Sequence, residues 1–96
     1  MLQQMTIVTD NLSLLEPLVK SALNQEKKMI ALGVDQTRSR IAEFERQFQM
    51  NSQDFEQRLH NLELDETVEF SDWRMEIGML RLLEQQYKAL TDARLD

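Results

Sequence analysis

The stretch Ile30–Phe48, IALGVDQTRSRIAEFERQF, places Ile30, Val34, Thr37, Ile41, Phe44 and Phe48 at steps of four, three, four, three and four. A repeat of about 3.5 residues is the seam of a helix that lies along a helical neighbour. Toward the N-terminus Leu15, Leu18, Val19, Ala22 and Leu23 carry helical spacing back past an interruption at Lys27. Ser13 with Glu16 has capping-box spacing, and Pro17 is best tolerated in a first turn, so the helix is expected to start between Ser13 and Pro17. Residues 13–49 therefore read as one long helix, bent at Gly33 or divided there into two. Residues 1–12 read as frayed, with Thr6–Thr9 able to add a short strand to a partner.

Toward the C-terminus the chain reads FQMNSQDF. Asn51 suits an N-cap, and Met50 and Phe55 fall at the two ends of a hydrophobic staple, which predicts a turn at Met50–Asn51 and a short helix over 52–61. Residues 62–70 read as an acidic loop. Ser71 or Asp72 would then cap a last helix over 71–93, with Trp73, Ile77, Leu80, Leu83, Tyr87 and Leu90 on its apolar face. The expected fold class is all-α, in one domain: long helix, short helix, acidic loop, and a C-terminal helix folding back on the seam as a hairpin. The seam would equally serve a homodimer.

Composition agrees with that reading. Two glycines and one proline in 96 residues are too few for a turn-rich β protein. There is no cysteine, so no disulfide framework or thiolate site, and no apolar run approaches the ~20 residues that span a bilayer. The opening residues lack a basic n-region, which makes cytoplasmic the expected location. The net charge is −6, unfavourable for indiscriminate nucleic-acid or membrane contact.

Candidate chemistry is sparse. His60 is the only histidine, and Gln57, not a glutamate, stands three residues before it, so the carboxylate–histidine spacing of a helical di-iron site is missing. No metal, cofactor or catalytic residue is expected, and the chain reads as a non-enzyme. Arg38, Arg40 and Arg46 are interleaved with Asp35, Glu43 and Glu45 at helical neighbour spacing, the pattern of a mutually paired, solvated face. DNA contact would then come only through a dimer or a complex.

Charge is distributed unevenly. Residues 1–50 balance six acids with six bases, and residues 77–96 balance three with three, so the entire excess lies in residues 51–76. Within it, LELDETVEFSDW (Leu62–Trp73) holds five acids and no base, with Val68, Phe70 and Trp73 among them. Such a stretch is either a solvated loop or a docking surface for a basic protein, with carboxylates to steer and apolar anchors to desolvate. Trp73 reads equally as core or anchor.

These residues resemble a family. Arg40, Phe44, Glu45, Phe48, Met50, Ser52 and Phe55, the acids of 63–69, and Trp73, Glu76, Leu80 and Leu83 in a leucine-rich last helix are similar to the TumA-type antitoxins, small proteins paired with TumE-type toxins in archaea and cyanobacteria. Phe48 stands where the family pattern has tyrosine, and Gln49 where it has glycine. The resemblance implies an antitoxin that neutralises a small, nuclease-like toxin from the adjacent gene by direct binding. The expected toxin-binding residues are Phe55, Glu63, Asp65, Glu66, Glu69, Phe70, Asp72, Trp73 and Glu76, with Ile30, Val34, Thr37, Ile41, Phe44 and Phe48 as the seam or dimer interface. The alternative is a homo-oligomeric helical scaffold without a toxin partner.

Overall fold

Asn11, one residue outside the first turn, starts the first helix. Its side-chain oxygen accepts from the Leu14 amide at 3.3 Å and from the Ser13 hydroxyl at 3.1 Å, which satisfies one of the free N–H groups of a helix start. In this computed structural model, which describes residues 1–95, helix α1 runs Leu12–Phe48, α2 Ser52–His60 and α3 Val68–Asp92. The start precedes the expected one, and residues 1–11 carry no helix or strand. Pro17 consequently lies inside the second turn. It forfeits one backbone bond near a helix end, where few bonds depend on it. Glu16, the expected capping-box acid, pairs instead with Lys20 at 3.3 Å.

Helix α1 passes through Gly33 unbroken. A methyl group there would meet Leu83 Cδ1 at 3.4 Å, so the bare backbone lets α3 lie close. The helix ends at Gln49, held left-handed at φ 52°, with the amides of Gln49 and Met50 both turned back to the Glu45 carbonyl. Asn51 then caps α2, its Oδ1 accepting from the Asp54 amide at 2.7 Å. Glu45 braces this corner, because its carboxylate accepts from the Ser52 amide at 2.7 Å. A carboxylate at a helix N-terminus is favoured by both the free amide and the helix dipole.

Helix α2 closes on a Schellman-type end: Leu62 is left-handed at φ 60°, its amide reaches the Leu59 carbonyl, and the Glu63 amide reaches the Arg58 carbonyl. The acidic loop is shorter than expected. Residues 68–70 belong to α3, and the cap is Thr67 rather than Ser71 or Asp72; its hydroxyl accepts from the Phe70 amide at 3.1 Å. Glu66 secures the first turn by accepting from the Ser71 hydroxyl at 2.9 Å and pairing with Arg74 at 2.8 Å. The earlier start puts Phe70, Trp73, Ile77 and Leu80 on one stripe, all packed in the same core.

Helices α1 and α3 form an antiparallel hairpin, and the molecule is all-helical. The seam residues Ile30, Val34, Thr37 and Ile41 are buried, with Phe44 and Phe48 half-buried against the core. The seam is therefore spent on α3 inside one chain, which removes it as a dimer interface. The core gathers at the loop end around Trp73 and Phe55, both fully buried and stacked with centroids 3.9 Å apart and planes 2° from parallel. Phe44 and Phe48 stack on the same indole, each at 5.9 Å, and Phe70 meets Phe48 edge-on at 5.0 Å. The indole N–H donates to Ser52 Oγ at 3.0 Å, so the one polar atom of the stack is satisfied. Before Ile30, α1 buries no residue, and the molecule extends 59 × 26 × 18 Å.

Candidate protein-binding surface

The loop between α2 and α3 is the most acidic region of the surface. Glu63, Asp65, Glu66, Glu69 and Asp72 are all exposed around it. Glu66 is tied to Arg74 and Ser71, and Glu69 lies in the first turn of α3, where a carboxylate favours the helix dipole. Glu63 and Asp65 make no side-chain bond or ion pair among the described residues, and no such interaction of the fold depends on their charge.

The remaining residues expected to bind a toxin fall elsewhere. Phe55 and Trp73 are the centre of the core, out of reach of any partner, because the α1–α2 corner folds Phe55 flat against the indole. Phe70 is half-buried beneath Phe48 and Phe55. Glu76 is half-buried and bridges to Arg40 of α1 at 3.0 Å, one of its carboxylate oxygens being enclosed without a hydrogen-bond partner. These residues build the platform that holds the acidic rim.

Two apolar side chains take the place of those anchors. Leu62 is 89% exposed and Val68 75% exposed, one on each side of Glu63, Asp65 and Glu66. Leu62 is the more telling. A bulky residue at φ 60° is strained by about 1–2 kcal/mol relative to a right-handed conformation, and glycine is the usual occupant of this position. Nothing in the periodicity of the sequence points to Leu62, since helix patterns say nothing about residues beyond a helix end. Val68, expected in the acidic loop, belongs to the first turn of α3.

Outside this rim, His60 is exposed at the end of α2, and Glu56, one turn before it, is engaged by Arg81 at 2.7 Å. Among the described residues no three His, Cys, Asp or Glu side chains converge as metal donors. Among them, too, no helix is long and apolar enough to cross a membrane. Met29, Met75 and Met79 point outward rather than filling core gaps, and only Met50 of the internal methionines packs on the core. Compared with protein-family models, curated proteins and solved structures, the chain matches none.

Proposed function

We propose that this chain is an antitoxin that neutralises a small, nuclease-like toxin by direct binding and has no catalysis of its own. The observation that carries the reading is the rim itself. Unpaired Glu63 and Asp65 stand between exposed Leu62 and Val68, on a loop pinned at both ends by helix caps. Carboxylates of this kind steer a basic partner, and the apolar pair supplies surface to desolvate on contact. A nuclease presents such a basic groove, because it must hold phosphate. The strained backbone under Leu62 supports the same reading: a leucine stands where glycine would be unstrained and points to solvent, which folding does not require.

The experiment begins with co-expression of the chain and its adjoining reading frame, followed by purification and sizing. The neighbour should poison cells when expressed alone and co-elute with this chain when both are made. Replacing Glu63 and Asp65 together by lysine should then weaken the complex at least tenfold at low salt while leaving helicity and melting unchanged. A neighbour that is harmless and does not co-elute would refute the antitoxin reading. Unchanged affinity in the double variant would remove the rim from the mechanism.

A further inference from the structure

The segment ahead of α1 is the part of the chain that its own fold leaves unused. Thr6, Ile7, Val8 and Thr9 are the one run of four β-branched residues in the sequence, and Leu2–Thr9 is its longest run without a charged side chain. β-branched residues lose side-chain freedom in a helix and fit the pleat of a sheet. The backbone agrees with that preference. Residues 1–11 form no helix, and among the described residues 1–10 make no backbone–backbone hydrogen bond. Leu2, Met5, Ile7 and Val8 are 57–91% exposed. One local bond ties the segment to the helix start, the Asn11 amide donating to Thr9 Oγ1 at 3.0 Å.

We infer that Leu2–Thr9 adds as a strand to the exposed edge of a β-sheet in the protein that this chain binds. The inference rests on the antitoxin reading for the identity of that protein, the product of the adjoining reading frame, and adds to it a second contact of defined chemistry. The open amides and carbonyls of the segment call for a row of complementary groups, and a sheet edge is the protein surface that presents one. Eight residues at about 3.3 Å each make a strand of about 26 Å, long enough for a full ladder. Alternation would set Met5 and Ile7 on one face and Leu2, Thr6 and Val8 on the other, so both faces bring apolar surface to the sheet they extend.

Other occupants fit less well. The described residues contain no strand, so a second copy would offer one segment against one, and a two-stranded ribbon alone is marginal in water. A helical surface would satisfy none of the open backbone groups, because a helix consumes its own. Strand edges that must stay single commonly carry a charge that repels another strand, and Leu2–Thr9 has none. The segment is also separate from the fold that presents it. Helix α1 buries no residue before Ile30, and the Phe55–Trp73 stack packs near its far end, so substitutions within residues 2–9 leave the core untouched.

The test uses the full chain with the product of the adjoining reading frame. Amide exchange followed residue by residue should be fast over Gln3–Thr9 in the chain alone. In the complex every second amide there should slow by about a hundredfold or more, because successive N–H groups of a strand point to opposite edges. Ile7→Pro and Val8→Pro remove amides on opposite edges, and each is compared with the alanine variant at its position, which keeps the amide. One proline should weaken the complex about tenfold or more, by leaving a carbonyl of the partner's edge without a donor, and the other less than about threefold. Helicity, melting and Trp73 emission should stay native in all four variants. A complex of full affinity with both prolines, equal losses from both, or fast exchange throughout the bound segment would overturn the strand and leave the antitoxin reading standing. Alternate protection already present in the chain alone would overturn it in favour of a second copy. Absence of any complex would refute both readings together.

Discussion

Phe55 is the only buried residue of α2, and its ring lies flat on Trp73 at 3.9 Å. Truncating a core phenylalanine to alanine costs about 3–5 kcal/mol, against a total of about 5–14 kcal/mol for a domain of this size. The other ties of α2 to the hairpin include the Arg81–Glu56 pair and the Glu45 bond to the Ser52 amide. An ion pair as open as Arg81–Glu56 contributes at most ~1 kcal/mol. Phe55→Ala should therefore release α2 before the hairpin opens. Trp73, the sole tryptophan, would be wetted, and its emission should move to the red without denaturant. Far-UV ellipticity should fall by no more than the share of α2, nine residues beside the 37 of α1 and 25 of α3. With a urea slope of about 1–2 kcal/mol per molar, the midpoint should drop by about 2 M. Phe55→Leu, which keeps most of the volume, should cost about 1–1.5 kcal/mol and leave the emission near native. Unchanged emission and midpoint in Phe55→Ala would refute the account of a core organised around this stack.

Two further outcomes follow from the backbone. Gln49 and Leu62 are the two non-glycine residues at positive φ among the described residues, so Gln49→Gly and Leu62→Gly should each raise unfolding free energy by about 0.5–1 kcal/mol; under the proposed function, Leu62→Gly should at the same time weaken binding to the proposed partner. Gly78 is exposed within α3, its added Cβ would meet nothing within 4 Å, and its φ is not positive. Gly78→Ala should therefore stabilise the chain by about 0.5–1 kcal/mol, seen as a higher urea midpoint with an unchanged slope.

The all-helical class was legible in the 3.5-residue repeat of Ile30–Phe48, because an apolar stripe of that period is useful only along another helix. The corner at Met50–Asn51 was legible too, since an asparagine cap and a staple are local chemistry written in adjacent residues. The start of α3 differs from the expected one because its cap and first turn are built from polar residues that also suit a loop. Glu66, Thr67 and Glu69 look like loop residues until Ser71 and Arg74 are seen one and two turns on, holding Glu66.

What tertiary structure decided was which apolar residues were consumed. Trp73 and Phe55 stand next to acids in sequence, and periodicity is silent on whether such aromatics turn in or out. A flat contact between residues 18 positions apart put them in the core. The same packing spent the seam on α3 within one chain and left Leu62, Val68, Met29 and Met79 facing outward. Sequence by itself determined that the chain is helical and where its apolar stripes run, because stripes and backbone hydrogen bonds are local, while the caps at Asn11 and Thr67 came with the structure. Only the fold determined the surfaces, because exposure depends on which distant residue arrives to cover each side chain.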